Sequence, residues 1–195
     1  MNRFTIFDTP ILSWFFHQLS KLILRLAGWQ FEGQPPQLAK YVLIGAPHTS
    51  NWDFFYFIAM AFLFRAKVYW LGKHSLFKGP FGPFMRWLGG IPINRTQRNN
   101  RVQQLVELFN TSENLVLTIA PEGTRAQVSH WKSGFYHIAV GAGVPLQLAY
   151  LDFPNKRGGF GPLVWPTGNF ESDLVKIQKF FVPFKGKRHI NTQRG

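Results

Sequence analysis

Cysteine is absent from the 195 residues of the sequence. Catalysis by a thiol, disulfide bonds and thiolate metal sites are therefore excluded, and the composition fits a reducing compartment such as the cytosol. The patterns H-E-x-x-H, G-x-S-x-G and G-x-x-x-x-G-K-[ST] do not occur either. Their absence removes several common hydrolase and nucleotide-binding functions.

Acidic residues are scarce, with 9 Asp plus Glu against 22 Lys plus Arg, which gives a formal net charge of +13. Such an excess predicts an anionic partner: nucleic acid, an anionic lipid surface or an anionic substrate. The basic residues are spread along the chain, and no helix-turn-helix, RNP-type or zinc-finger pattern is present, so we expect no nucleic acid partner. The apolar fraction of 46% and the 21 Phe predict a single folded domain with a substantial core.

An uninterrupted apolar stretch long enough to cross a bilayer is also missing. The N-terminal segment 10–29 is apolar but contains two basic residues, whereas a spanning helix needs about 20 predominantly apolar residues. On a helix its polar residues fall along one narrow stripe: Ser13, His17, Lys21 and Arg25. We predict that residues 1–32 form an amphipathic helix in the membrane interface and its linker; a core helix of the domain is the alternative.

Strand-length apolar runs alternate with helical patterns along the rest of the chain. Strands are expected at 41–46, 67–72, 91–95, 115–120, 145–151 and 162–166. Helices are expected at 53–65, at 101–110, within 131–142 and at 172–181. This alternation predicts an α/β fold with a mixed, mostly parallel sheet flanked by helices. We assign residues 33–184 to this domain and residues 185–195 to a basic tail that is expected to be mobile.

The first candidate site follows the apolar run 41–46, in the segment PHTSNWD. Functional residues of open α/β sheets gather beyond the carboxyl ends of strands, and His48 and Asp53 lie at such an end. The carboxylate of Asp53 can accept a hydrogen bond from one ring nitrogen of His48 and fix its tautomer, so that the other nitrogen can act as a general base. Alternatively, His48 is an ordinary loop residue and Asp53 is an acid favoured by the dipole of the following helix.

The segment APEGTR, at the end of the strand 115–120, carries the second candidate site. Gly123 permits a tight turn, so Glu122, Thr124 and Arg125 can converge beyond the strand end. Arg125 can bind a phosphate through paired hydrogen bonds, and Glu122 can orient that Arg or a substrate hydroxyl. A polar turn with an Arg–Glu surface pair is the alternative.

Three further basic residues are candidates for binding an anion. Arg95, in GGIPINR, can add a second cation to the same anion site. Lys73, in GKHSLF, is a weaker candidate of the same kind, and Lys132, in WKSG, is weaker still. Each of them can instead be a solvated surface charge.

The order of these motifs is more specific than any one of them. H-x4-D, followed by G-x-I-P-I-x-R and then P-E-G-T-R, resembles the glycerolipid acyltransferase family, the PlsC-like 1-acylglycerol-3-phosphate acyltransferases, over residues 40–150. The lipid A acyltransferases share an H-x4-acid motif but not E-G-T-R. Two positions depart from the family pattern: Pro47 replaces an Asn that often precedes the His, and Leu148 replaces a second Pro in the fourth block, which is associated with acyl-donor binding.

The resemblance implies a glycerol-3-phosphate acyltransferase-like fold and transfer of an acyl group from a thioester, acyl-CoA or acyl carrier protein, to the hydroxyl of lysophosphatidate or a related lysophospholipid. His48 would be the general base, held by Asp53. Arg95 and Arg125 would hold the phosphate of the acceptor, and Glu122 would fix its glycerol end. No metal or other cofactor is expected. The expected partner is an anionic membrane surface, with the protein bound peripherally or monotopically at the cytoplasmic face of the cell membrane.

Two alternatives stay open at this point. The acceptor can be another lysolipid, such as an ornithine-type lipid, because the phosphate assignment depends on two arginines. The chain can also be a non-enzymatic, basic module that binds membranes or nucleic acid, in which H-x4-D is accidental.

Overall fold

The computed structural model describes residues 3–93, 101–126 and 128–188. Its strands are β1 (Gln30–Glu32), β2 (Lys40–Ala46), β3 (Tyr69–Lys73), β4 (Gly90–Ile93), β5 (Leu115–Ile119), β6 (Leu146–Asp152) and β7 (Arg157–Val164). They form a seven-stranded sheet with the order β1-β7-β6-β2-β5-β3-β4. All neighbouring strands are parallel except β6 and β7, so the predicted mixed, mostly parallel sheet is confirmed.

Helices cover both faces of the sheet. They are α1 (Pro10–Leu26), α2 (Trp52–Leu63), α3 (Gly82–Trp87), α4 (Arg101–Asn110), α5 (Gly134–Ala142) and α6 (Phe170–Phe181), with short 3₁₀ turns at Ile6–Asp8 and His74–Phe77. Each helix and strand expected from the sequence has a counterpart here. The expected strand 91–95 is observed as β4 up to residue 93, and its last two residues lie outside the described part of the chain.

The first half of β7 is the glycine-rich segment RGGFG, which the sequence pattern did not predict as a strand. Glycine is needed there because β1 passes so close that a Cβ at Gly159 would overlap the backbone of Glu32. β1 pairs in parallel with residues 157–159. Residues 30–32 therefore form the edge strand of the sheet, although the sequence assigned them to the N-terminal segment. A strand of three residues is too short to show the alternation by which strands are predicted.

β2 lies inside the sheet, and its alternating side chains contribute to both halves of the core. Val42 and Ile44 pack with residues of α4, α5 and α6, whereas Tyr41 and Leu43 pack with residues of α2. Because β2, β3 and β5 are parallel, their carboxyl ends meet at one edge of the sheet. The loops that follow β2 and β5 carry the candidate site.

α1 packs along α2. The Nδ1 atom of His17 donates to the carbonyl oxygen of Phe62 at 2.9 Å, and the ring of Phe16 stacks on that of Phe62 with centroids 5.1 Å apart. Ser20 and Leu24 are buried. The outward side of the helix exposes large apolar side chains: Ile11, Leu12, Trp14, Phe15, Leu22 and Leu26.

The polar stripe predicted from the sequence is thus divided between two sides of α1. His17 faces α2, whereas Lys21 and Arg25 are exposed. Within the three described ranges, no helix is both long enough and apolar enough to cross a membrane. The position of α1 in a membrane interface stays a prediction.

Candidate active site

The loop between β2 and α2, residues 47–53, brings His48 and Asp53 together and is called the dyad loop. It begins with a cis peptide bond between Ala46 and Pro47, and Asp53 occupies the first turn of α2. The Nδ1 atom of His48 lies 3.1 Å from Oδ2 of Asp53. The histidine side chain is 30% exposed, whereas the aspartate side chain is 7% exposed. The predicted pair therefore forms, with the imidazole reaching solvent and the carboxylate behind it.

The backbone of the dyad loop holds the carboxylate of Asp53. Its Oδ2 accepts hydrogen bonds from the N–H of Thr49 at 2.6 Å and of Ser50 at 2.7 Å, and its Oδ1 accepts from the Ser50 hydroxyl at 3.0 Å. Burial alone would raise the pKa of Asp53, but the hydrogen bonds from His48 and from two backbone N–H groups outweigh it and hold the pKa below its ordinary value. Asp53 is therefore ionised at neutral pH, which favours the His48 tautomer with its proton on Nδ1.

Glu122 connects the end of β5 to the dyad loop. Its Oε1 accepts a hydrogen bond from the backbone N–H of His48 at 3.1 Å. Burial raises the pKa of Glu122, against the opposing effect of hydrogen bonds from backbone N–H groups. Its Oε2 is buried and has no hydrogen-bond partner among the described residues. The structure thus brings Glu122 to the dyad, where it positions the backbone of His48.

Gly123 lets the chain turn sharply after Glu122. Its φ of 64° lies in the left-handed region, and a Cβ at this position would lie 2.7 Å from Nζ of Lys132. The N–H of Lys132 also donates to the carbonyl oxygen of Pro121 at 3.0 Å. Lys132, the weakest candidate from the sequence, therefore lies against this turn with its amine beside Gly123.

Arg125 reaches the dyad loop, whereas Thr124 stabilises its own turn. The Nη1 atom of Arg125 donates to Oδ1 of Asn51. The hydroxyl of Thr124 accepts from the N–H of Ala126 at 3.3 Å. Both side chains are exposed, so the guanidinium of Arg125 is accessible to an anion beside the dyad loop.

Arg95 and Lys73 were the other cations of the predicted anion site. Arg95 lies outside the residues that the structure describes. Lys73 is the exposed last residue of β3, and in the described ranges no ion pair links it to Asp53. Among the candidate cations in the described ranges, Arg125 is the one for which the structure shows a hydrogen bond to the dyad loop.

An apolar cavity lies beneath the dyad, between α2 and the sheet. Its empty space is about 760 Å³, a figure that includes open solvent at the mouth. Small residues near the strand ends leave room for it: Gly45, Ala120 and Ala149. Larger apolar side chains complete the walls: Leu43, Phe54, Phe57, Met60 and Trp70. The motifs did not indicate this cavity, although a glycine inside a strand, Gly45, is a signal for a closely approaching ligand or backbone.

Residues 184–188, here called the C-terminal strap, run from the cavity wall to the dyad loop. The ring of Phe184 stacks on that of Tyr150, which lines the cavity, with centroids 3.7 Å apart. The N–H of Lys185 donates to Oδ1 of Asp152, at the end of β6, at 3.2 Å. The strap is therefore joined to the sheet before it reaches the dyad loop.

The strap then crosses Thr49. Gly186 lies so close that a Cβ would overlap the Thr49 side chain, whose hydroxyl accepts from the N–H of Arg188 at 3.3 Å. The Nζ atom of Lys187 lies 4.0 Å from the ring centroid of Trp52. The sequence predicted a mobile basic tail from residue 185. Its described residues, 185–188, contact β6 and the dyad loop, and the glycine at 186 permits this close approach.

The chain is similar to known acyltransferases in sequence and in fold. A family model described as "Acyltransferase" matches residues 30–149. The curated 1-acyl-sn-glycerol-3-phosphate acyltransferases of Escherichia coli (strain K12) and Salmonella typhimurium are each 29% identical over 108 residues, which is 52% of this chain and 42% of the relative. The chain thus spans less than half the length of these relatives.

A solved structure shows the same fold. It is the 1-acyl-sn-glycerophosphate (LPA) acyltransferase, PlsC, from Thermotoga maritima, with a TM-score of 0.60, 18% sequence identity and coverage of 90% of this chain and 82% of that chain. The family match of residues 30–149 includes the dyad loop and the turn at Gly123 and extends over more than half of the sequence. The chain therefore belongs to the acyltransferase family.

Proposed function

We propose that this protein transfers a fatty acyl group from a thioester to the hydroxyl of lysophosphatidate or a related lysophospholipid. The observation that carries the proposal is the His48–Asp53 pair at an apolar cavity. Acyl transfer to an alcohol needs a base for the hydroxyl proton and a space for the acyl chain, and the two lie side by side here. The name of the curated relatives, 1-acyl-sn-glycerol-3-phosphate acyltransferase, supports this choice of acceptor.

His48 is the general base of the proposed reaction. Because its Nδ1 proton is donated to Asp53, its Nε2 can take the proton of the acceptor hydroxyl while the oxygen attacks the thioester carbonyl. The tetrahedral intermediate then expels the thiolate, which leaves as a thiol with the proton from His48. A positioned base of this kind contributes ~10²–10⁴ in rate. The ionised Asp53 orients the ring and stabilises the imidazolium.

The cavity holds the acyl chain. Its depth follows from the elements that line it: Leu43 precedes the end of β2 by three residues, or about 10 Å at the rise of a strand. Met60 follows Asp53 by seven helical residues, which is also about 10 Å. Each methylene buried over this depth is worth about 0.8 kcal/mol, so the cavity supplies binding energy and fixes the thioester carbonyl near the dyad.

Arg125 binds the phosphate of the acceptor in this proposal. Its exposed guanidinium lies beside the dyad loop and can form paired, charge-assisted hydrogen bonds with phosphate oxygens. Arg95 of the family motif is the proposed second cation. Glu122, which holds the backbone of His48, is the proposed contact for the glycerol end of the acceptor.

The proposed site of action is the cytoplasmic face of the cell membrane, with the protein bound peripherally. The exposed apolar side of α1, flanked by Lys21 and Arg25, has the character of an interfacial helix. The net charge of +13 favours contact with anionic headgroups. Such docking brings the enzyme to a substrate that resides in the leaflet.

The test is release of thiol from acyl-CoA and from acyl carrier protein by the purified protein, with a panel of lysolipids in detergent. His48→Ala should lower kcat by ~10²–10⁴, whereas His137→Ala, which removes an exposed histidine on α5, should not. An unchanged kcat in His48→Ala would show that the base assignment is wrong.

Arg125→Ala tests the acceptor. It should raise KM for lysophosphatidate and leave KM for a lysolipid without phosphate unchanged, because only the former offers oxygens to the guanidinium. An equal effect on both acceptors would contradict the phosphate assignment and favour a phosphate-free acceptor such as an ornithine-type lipid.

A further inference from the structure

The C-terminal strap borders both parts of the proposed active site. Phe184, at its start, packs on Tyr150 of the cavity wall, and Arg188, at its end, is hydrogen-bonded to Thr49, the residue after His48. A thioester with its acyl chain in the cavity and its carbonyl at His48 can therefore lead its carrier out over the strap.

The strap carries three exposed cations beside the dyad loop and the cavity wall. Lys185, Lys187 and Arg188 are all exposed, and within the described ranges no carboxylate lies at ion-pair distance from them. Asp152 is near the strap but is buried, and its oxygens accept hydrogen bonds from Asn155 and from a backbone N–H. The positive charge on the strap is therefore available to an anion from solvent.

These cations are held in place rather than carried on a free tail. The backbone of the strap is fixed at both ends by the N–H groups of Lys185 and Arg188, and Gly186 packs against the dyad loop. The amine of Lys187 rests over the ring of Trp52, which orients the charge without neutralising it. A fixed cluster binds an anion with less loss of conformational entropy than a flexible one.

We propose that the C-terminal strap binds the phosphate groups on the carrier of the acyl donor. This inference rests on the proposed function and identifies the surface that receives the donor. The thioester sulfur of acyl-CoA and of acyl carrier protein is joined to phosphate through the same pantetheine arm, so phosphate is the chemistry that both donors share. Arg188 offers a fork of N–H donors and Lys187 a point charge, the two ways in which proteins bind phosphate.

The phosphate of the acceptor has a different proposed binding residue. It is given to Arg125, which contacts the dyad loop at Asn51, whereas the strap contacts the loop at Thr49 and Trp52. The two anionic substrates would then meet at the dyad with their phosphates on different cations.

The experiment compares one acyl group on carriers with and without phosphate. Initial rates are measured for acyl-pantetheine, acyl-phosphopantetheine, acyl-CoA and acyl carrier protein, with lysophosphatidate in neutral detergent micelles. The double variant Lys187→Ala/Arg188→Ala should lower kcat/KM for phosphate-bearing donors by roughly 10- to 100-fold and leave that for acyl-pantetheine near the wild-type value. Lys78→Ala/Lys179→Ala removes two exposed lysines elsewhere and should change neither value.

The pattern among the donors identifies the source of the phosphate. A loss for acyl-CoA alone assigns the strap to the phosphates of the nucleotide, and a loss shared with acyl-phosphopantetheine and acyl carrier protein assigns it to the phosphate on the arm.

Three results would overturn the proposal. One is an equal loss for acyl-pantetheine, which would mean that the strap acts through the dyad loop. Another is no loss for any donor. The third is weaker binding to phosphatidylglycerol vesicles with unchanged donor kinetics, which would assign the strap to the membrane surface. Failure of the proposed function is distinct, since the wild type would then release no thiol from any donor with any lysolipid.

Discussion

Replacing Gly45 by Val narrows the apolar cavity while leaving the dyad in place. Gly45 lies one residue before the end of β2, and a Cβ built there meets no atom within 4 Å. Its backbone is not in the left-handed region, so a side chain is tolerated, and Val suits a strand. The free energy of unfolding should stay the same or rise, because glycine weakens a strand. A change in activity would therefore not reflect loss of the fold.

The size of the effect follows from the carbons involved. Val brings three carbon atoms into the cavity, and these displace about as many carbons of a bound acyl chain. At about 0.8 kcal/mol for each buried methylene, the loss is about 2.4 kcal/mol, or roughly 50-fold in kcat/KM, for chains that fill the cavity. Chains too short to pass Gly45 should lose nothing.

The assay is thiol release from acyl-CoA of increasing chain length with lysophosphatidate as acceptor. The ratio of kcat/KM for long over short chains should fall by this factor in Gly45→Val. Gly134→Ala is the control, because a Cβ at Gly134 also meets open space but lies at the start of α5. A Gly45→Val variant that keeps its long-chain rate, or that slows short and long chains equally, would refute the placement of the acyl chain in the cavity.

Three further predictions concern stability and the membrane. Glu122→Gln should become more stable than the wild type as pH rises above 4.5. The raised pKa of Glu122 keeps a proton on the folded wild type that the unfolded chain releases, so the wild type loses stability over this range. Parallel curves of Tm against pH for the two proteins would contradict this. Asp53→Asn should be less stable than the wild type at neutral pH. This difference in the free energy of unfolding should close as pH falls below 3.8, because the lowered pKa of Asp53 gives stability that is lost on protonation. Urea unfolding measures the difference, and a difference independent of pH would contradict the prediction. The double variant Leu22→Ser/Leu26→Ser should sediment less with anionic vesicles at unchanged Tm, because these α1 side chains are 53% and 78% exposed. The control Val175→Ser, on α6 and 68% exposed, should sediment like the wild type. Equal sedimentation of the wild type and both variants would contradict a membrane-docking α1.

The alternation of strands and helices was predictable because most of these elements are long enough to show the apolar periodicity of a strand or a helix. β1 was not, since a strand of three residues has no period to detect and is defined by its partner in β7. The glycines of β7 were not predicted to be strand residues because glycine is typical of turns. Gly159 is nevertheless in a strand, where the backbone of Glu32 lies too close for a side chain.

The candidate site divides in the same way between local and distant contacts. The approach of His48 to Asp53 was predictable because both lie in one short strand-to-helix connection. The hydrogen bond from the His48 backbone to Glu122 depends on the pairing of β2 with β5, so the sequence indicated the residue but not this contact. The position of the cavity and the contacts of the C-terminal strap could not be predicted, because each is made by segments far apart in the chain that no local pattern relates, such as Gly186 and Thr49.

The attachment of α1 along α2 has a consequence for how the protein meets a lipid leaflet. The same helix that receives α1 near Phe62 begins, at its other end, with the aspartate that orients His48. If the outer side of α1 lies on a leaflet, the tilt of that surface also sets the direction in which the dyad opens. The protein would then approach its substrate in one orientation, with no hinge needed between anchoring and chemistry.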